Sequence, residues 1–318
     1  MTRACLPDFA LFTQISLLFE GNMVKPSTLD IANVPESRIQ MLDTLLASID
    51  TDIAVSLSFV RRAQGLSFYD LERKVSGLKG STLKRYMQQS YASIRPLHMV
   101  AAMSWVMMVP MTSFYYALKV KEHYRGMDSN AVKALYCLGR LPTKQFELYI
   151  EMVLQLMDEE SQQHFRDYRE RLLSSSPLLT CYEQLLPPDV LDMSAFAIDY
   201  YRSVAITVKQ FRQKYQIPTE VIARVLGLSI YQYGLLENVN KTRDFSVSVG
   251  FRAKLGFQLD SHVNFTSEMN QFPQFHQLRQ FQHVRDSLTI KALSLVKTQH
   301  KKYVADILTS LSKIYMKN

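Results

Sequence analysis

Apolar residues along this chain recur at steps of three and four, in blocks cut by glycine, proline and small polar residues. No stretch keeps the alternation of a half-buried strand. The pattern predicts an almost wholly helical protein. Ile39, Leu42, Leu45, Leu46 and Ile49 form one stripe after a loop at 21–36, and Thr51-Asp52 are placed to cap a helix running into Arg61-Arg62. Leu71, Val75, Leu78, Leu83 and Tyr86 form the next stripe, over short helices at 67–75 and 79–88 with turns at Gly65 and Gly77. Ser67 suits the N-cap of the first, with Asp70 three positions on. The apolar run at 94–120 is broken by Pro110 and predicts two packed helices, with Trp105 and Met103, Met107, Met108 and Met111 as core. An earlier apolar run, Phe9 to Phe19, follows Pro7-Asp8, has only Arg3 in front, lacks a small-residue cleavage site and is too short for a membrane span. It reads as a core-packing helix.

Two short helices joined by a glycine-bearing turn form a helix-turn-helix, the unit that lays its second helix in a DNA major groove. The outer face of the helix at 79–88 carries Lys79, Ser81, Thr82, Lys84 and Arg85, groups that reach phosphates and base edges. A second copy follows. FRQKYQIPTEVIARVL lies over VRRAQGLSFYDLERKV at an offset of 151, and GLSIYQYGLLEN over GLKGSTLKRYMQ at 150. Both copies then reach an apolar closing segment, MMVPMT in the first and LGFQLD in the second.

The second copy resembles the lambda-repressor-like (Cro/C1, XRE-type) helix-turn-helix family over 205–262, through Arg212, Ala223, Leu226-Gly227-Leu228-Ser229, Glu237-Asn238 and Leu255-Gly256. The resemblance implies a five-helix DNA-binding fold, with Ala223 small at a close helix crossing, Gly227 making the turn, and Arg212 paired with Glu237 as a structural ion pair. The first copy, at 58–115, is more divergent. Glu72 stands for the small alanine, one extra residue lies near Ser76, and Met87 stands for the glutamate, which leaves Arg61 without that partner. The recognition face of the second copy is less polar: Ser229, Ile230, Tyr231, Gln232, Gly234 and Leu235. Thr219 stands at the start of its second helix, as Phe68 does in the first copy.

Charge follows the two copies. Residues 58–98 carry eight Lys or Arg against two acids and residues 206–254 eight against three, so these two stretches exceed the +8 of the whole chain. That concentration is the electrostatic footprint of nucleic-acid binding. The middle, 127–192, has six basic residues against eleven acidic ones, with amphipathic helices QFELYIEMVLQLM and QQHFRDYRERLL and a linker expected at 173–189. Near the end, Leu288, Ala292, Leu295, Gln299, Tyr303, Ile307, Leu311 and Ile314 make nearly a heptad seam. It packs on its own chain, serves a homodimer, or forms a DNA-contacting tail through Lys297, Lys301 and Lys302.

Cys5, Cys137 and Cys181 are odd in number and far apart, which fits a reducing compartment, and no spacing suits a metal. No nucleophile elbow, phosphate loop or telling carboxylate pair appears, and Asp158-Glu159-Glu160 reads as a solvated cap, so no enzyme and no cofactor is expected.

The expected fold is all-α, with two lambda-repressor-like helix-turn-helix domains joined by and packed with helical bundle segments. The segments are an N-terminal helical part (1–50), the first domain (51–126), an acidic connector (127–192), the second domain (193–265) and a C-terminal helical part (266–318). The expected function is a cytoplasmic, nucleoid-associated, sequence-specific transcriptional regulator of bacterial or phage type, bound to double-stranded DNA and not to a membrane. Its DNA-contacting residues are Ser67, Lys79, Ser81, Thr82, Lys84 and Arg85 in one head, and Thr219, Ser229, Tyr231, Gln232, Lys241 and Arg243 in the other. Two alternatives stay open: a protein-interaction adaptor with degenerate helix-turn-helix units, and a regulator that senses a small molecule or peptide.

Overall fold

The computed structural model describes residues 32–115, 128–139, 141–175, 185–241, 243–259, 266 and 269–315. Within these the chain is all-α apart from two two-residue strands. The expected helix at 9–19, Cys5, Cys181 and most of the expected linker lie outside the described residues. A leading helix, α1 (Glu36–Leu45), is followed by α2 (Ile49–Ala63), α3 (Phe68–Arg73), β1 (Val75–Ser76), α4 (Gly80–Tyr86) and α5 (Leu97–Val106), then a 3-10 turn at Met111–Tyr115. The middle holds α6 (Ser129–Leu138), α7 (Thr143–Leu154) and α8 (Glu159–Ser175). After β2 (Leu191–Asp192) come α9 (Met193–Lys214), α10 (Thr219–Leu226), α11 (Ile230–Leu236) and α12 (Ser248–Gly256), and the chain closes with α13 (Pro273–Leu295) and α14 (Thr298–Tyr315).

The duplication is built into the backbone. Among the described residues six have left-handed φ: Gly65, Gly77, Met108, Gln216, Gly227 and Gln258. They fall into pairs, 65 with 216, 77 with 227 and 108 with 258, at offsets of 151, 150 and 150. Matching C-terminal caps accompany them. Leu66 N–H donates to Arg61 O at 3.1 Å and Ile217 N–H to Arg212 O at 3.0 Å; Val109 N–H donates to Ser104 O at 2.8 Å and Leu259 N–H to Lys254 O at 2.9 Å. The extra residue of the first copy lies between the first two left-handed turns. There α3 stops at Arg73, short of the 67–75 expected, and Val75–Ser76 leave the helix to pair in parallel with Leu191–Asp192.

Each copy's leading segment crosses to the other copy. β2, just ahead of α9, pairs with β1 of the first copy, while α1, just ahead of α2, packs on α12 of the second. Asp43 on α1 accepts from Arg252 at 2.6 Å and from Arg224 at 3.3 Å, and Glu36 accepts from Arg224 at 2.6 Å. The Arg252 hydrogen bond does most to hold the Asp43 carboxyl below its ordinary range. The copies themselves meet along 95–97 and 245–247. Leu97 N–H donates to Phe245 O at 2.8 Å and Val247 N–H to Arg95 O at 3.0 Å, with Pro96 opposite Ser246. Pro96 has no N–H, and its place between the two hydrogen bonds asks for none.

One continuous apolar core joins both copies to the other helices. Trp105 anchors it, packed against Phe196, Phe272 and Phe275, with its indole N–H donating to Leu185 O at 3.1 Å. Buried Asp199 on α9 accepts the backbone N–H groups of Asn270, Gln271 and Phe272, which fixes the approach to α13. Helix α13 is buried on almost every side. Its Arg285 lies over the rings of Phe146 and Phe281 and donates to Leu141 O at 2.6 Å and Thr143 Oγ1 at 3.2 Å, locking the turn between α6 and α7.

Three expectations are corrected here. The N-cap of α2 is Ser48 rather than Thr51-Asp52, because the helix starts earlier at Ile49, and Asp52 instead accepts from the Ser48 hydroxyl. The C-terminal seam is not continuous. Val296 takes an extended backbone, which ends α13, and α14 starts afresh at Thr298. Leu288 and Ala292 are consequently interior, whereas Tyr303 and Ile314 are 66% and 65% exposed and α14 packs on α6 through Val304, Ala305 and Leu308. Helix α4 is also shorter than the 79–88 expected, with Lys79 as its N-cap and Met87 as its C-cap.

Two glycines give opposite expectations. A Cβ on Gly139 would stand 1.3 Å from the Met108 carbonyl oxygen, so Gly139→Ala forces the backbone apart and is expected to destabilise by about 3 kcal/mol. Gly234 has nothing within 4 Å, and Gly234→Ala within α11 is expected to stabilise by about 0.5–1 kcal/mol. Urea denaturation of the two variants checks both signs.

Candidate nucleic-acid interface

Helix α4 is anchored from one side. Leu83, with Met87 just beyond the helix, is buried, so Ser81, Lys84 and Arg85 face outward, Thr82 is half-buried and Lys79 stands exposed at the N-cap. Lys79, Lys84 and Arg85 make no ion pair among the described residues. The preceding helix is fixed by a capping box. Asp70 N–H donates to Ser67 Oγ at 3.1 Å, and Ser67 N–H donates to Asp70 Oδ2 at 2.7 Å. Hydrogen bonds from Ser67 pull the Asp70 carboxyl below its ordinary range. Ser67, expected to touch DNA, is therefore committed first to this cap.

Arg95 holds the loop behind α4, a role that charge counting could not assign. Its side chain lies inside the fold, 1% exposed for the whole residue, and donates to the carbonyls of Tyr86 at 3.0 Å, Gln88 at 2.7 Å, Tyr91 at 2.7 Å and Ser93. These carbonyls belong to the end of α4 and the turn after it, where Gln88 O also accepts from Tyr91 N–H and Tyr91 O from Ser93 N–H, and the guanidinium ties all four together. Burial lowers the Arg95 pKa, with Asp50 opposing. Asp50 accepts the Arg95 backbone N–H and also the Ser246 hydroxyl, at 2.9 Å, from the other copy. Arg61, whose counterpart glutamate is Met87, donates instead to Leu66 O and lies over the Phe68 ring, 4.3 Å from its centroid.

In the second copy Tyr233 and Leu236 anchor α11. Ser229 and Gln232 form a capping box: Gln232 N–H donates to Ser229 Oγ at 3.2 Å and Ser229 N–H donates to Gln232 Oε1 at 3.0 Å. Both were expected to read DNA. Gln232 keeps only its amide N–H groups for that, and Ser229 retains its hydroxyl proton. The exposed large apolar side chains of α11 are Ile230, 55% exposed, and Tyr231, 73% exposed; Ile230 was missing from the expected contacts, though its place directly after the cap marks it. Thr219 is half-buried at the start of α10 behind Pro218, while Lys241 and Arg243 are exposed beyond α11.

Arg212 and Glu237 are joined in a bidentate ion pair, Nε to Oε1 at 2.7 Å and Nη2 to Oε2 at 3.1 Å, and the Tyr233 hydroxyl donates to the same carboxylate. Burial would raise the Glu237 carboxyl, but the hydrogen bonds from Arg212 and Tyr233 outweigh it and keep the group below its ordinary range. Ala223 is buried nearby, and Gly227 ends α10 in the left-handed conformation, with the Arg252 guanidinium where a Cβ would go.

The α4 face can engage a polyanion, since its cations and hydroxyls stand together on one short rigid helix. The α11 face offers apolar and aromatic surface with polar groups at its margins. Compared with protein-family models, curated proteins and solved structures, the chain matches none of them.

Two outcomes follow. Glu237→Gln leaves a half-buried guanidinium without its charge partner and is expected to cost about 2 kcal/mol at neutral pH. Because the folded carboxyl titrates below its unfolded value, that contribution is full above about pH 4.3 and fades as pH falls through the folded pKa. Urea titrations at neutral and acid pH should show wild type and variant converging. Arg95→Ala removes a donor from four carbonyls, of which those of Gln88 and Tyr91 keep a backbone N–H, and is expected to destabilise by about 3 kcal/mol, measured the same way.

Proposed function

We propose that this chain is a sequence-specific regulator that binds double-stranded DNA through two lambda-repressor-like helix-turn-helix heads, α2–α5 and α9–α12. One observation carries the reading: α4, the second short helix of the first head, projects Ser81, Lys84 and Arg85 from a rigid base with no acid paired to its cations among the described residues. In the proposed mode α4 enters a major groove. Lys84 and Arg85 reach base edges or phosphates, and Lys79, Ser81 and Thr82 bond to the backbone near the helix start. Helix α11 approaches a second groove with Ile230, Tyr231 and the amide of Gln232, while Lys241 and Arg243 meet phosphates. A chain with this task would sit in the cytoplasm on the nucleoid. No described helix is long and apolar enough to cross a membrane.

A second reading has its own support. The apolar surface of α11 and the exposed Tyr303, Ile307 and Ile314 on α14 suit a protein partner or a second copy of the chain, as in an adaptor. Selection of binding sites from random duplex DNA separates the readings. The regulator yields a defined motif, and Lys84→Ala/Arg85→Ala weakens or erases part of it, each lost base-specific contact costing about 1–3 kcal/mol. No enriched motif from the wild type would favour the adaptor.

A further inference from the structure

The pairing between the two copies has a symmetry of its own. Arg95 and Phe245 are equivalent at the offset of 150, and so are Leu97 and Val247. The two hydrogen bonds between them are reciprocal: Leu97 N–H to Phe245 O and Val247 N–H to Arg95 O. Pro96 lies antiparallel to Ser246, its own counterpart. When a segment pairs antiparallel with its equivalent, residue facing residue, the two are related by a local two-fold axis, as in an isologous dimer.

The two-fold extends outward because both copies leave the bridge alike. Helix α5 starts at Leu97 and α12 at Ser248, and the three left-handed turns recur at matching places. The backbone N–H of each bridge residue is also held by the first helix of its own copy: Arg95 N–H donates to Asp50, and Phe245 N–H donates to the Tyr201 hydroxyl at 3.0 Å. Asp50 and Tyr201 are themselves 151 apart. Further contacts cross the axis. His98 Nδ1 lies 3.2 Å from Tyr201 Oη, and a Cβ on Gly250 would touch Leu97.

Rotation about an axis leaves unchanged any component along it. To the extent that the face of α4 looks along the axis, the face of α11 therefore looks toward the same end. The two faces nevertheless differ in chemistry. Helix α4 offers an ammonium, a guanidinium and hydroxyls, suited to guanine edges, whereas α11 offers Ile230 and Tyr231, suited to thymine methyl groups.

Building on the DNA-binding reading, we propose that one chain acts as its own pseudo-dimer, seating its two heads in inverted orientation on two chemically unlike half-sites of one duplex. No second copy is needed to complete the site. The half-site centres are expected about 10 base pairs apart, one helical turn, as for two-fold pairs of such heads.

The test uses the full chain on a selected DNA site, with a hydroxyl-radical-generating iron chelate tethered at Gln89→Cys or at Val239→Cys. These exposed positions are equivalent at an offset of 150, and Cys5→Ser and Cys181→Ser remove competing thiols. Light scattering of the complex supplies the number of chains per duplex. The proposal expects one chain per duplex and two cleavage patterns that mirror each other across the site centre on opposite strands. Lys84→Ala/Arg85→Ala should relax base preference in one half only, and Ile230→Ala/Tyr231→Ala in the other. Cleavage patterns related by simple translation along one strand, a single protected half-site, or two chains on a perfect palindrome would each overturn the pseudo-dimer while leaving DNA binding intact. Absence of any duplex binding would overturn the regulator reading and this proposal with it.

Discussion

The reciprocal backbone pair between 95–97 and 245–247 is the constraint on which the arrangement of the two copies depends. It is small, two hydrogen bonds across a proline, but side chains of both copies reinforce it. Asp50 spans it by accepting from Arg95 N–H on one side and the Ser246 hydroxyl on the other. Leading segments strengthen the join by crossing over, β2 onto β1 and α1 onto α12, so neither copy could be lifted away without exposing the other. The remaining helices build a common core beneath, with Trp105 and the buried α13 at its centre.

Within that frame the two copies have diverged in different ways. The second keeps the Arg212–Glu237 ion pair and a clean left-handed turn at Gly227, features that stabilise the fold. The first has lost the carboxylate partner and replaced it with a different device. Arg61 donates to Leu66 O and lies over the Phe68 ring, and Arg95 ties down the carbonyls behind α4. Phe245, at the place of Arg95, fills the corresponding position with an apolar ring. The outward faces diverge in the opposite sense: the copy with less regular supports carries the polar, cationic surface.

Much of this was legible from residue order. Helical periodicity identified the all-α class, and glycines at 65, 77 and 227 marked the turns, because left-handed backbone favours residues without a Cβ. The equivalent turns at Gln216, Met108 and Gln258 were not legible, since residues with a Cβ stand there in the left-handed conformation. Sequence spacing also could not separate a reader from a cap. Ser229 and Gln232 sit on the expected face, yet their oxygens are taken by the helix start, and Ile230 and Tyr231 between them are left to present apolar and aromatic surface outward. Arg95 was legible only as one of the basic residues counted over 58–98, and the fold shows that its charge is engaged inside. At the C-terminus the apolar steps of three and four ran on past Val296, where a two-residue break at Val296–Lys297 turns an apparent seam into one buried and one surface helix.

The central claim, that the basic face of this chain exists to meet DNA, is tested most directly by the affinity of the wild-type protein for a duplex across a series of salt concentrations. Phosphate neutralisation releases bound counterions, so log K should fall linearly with log salt at a slope of about −0.9 for each phosphate contact. Two heads with several cations each predict a slope corresponding to several contacts. Affinity that is undetectable at low salt, or that does not change with salt, would contradict the account.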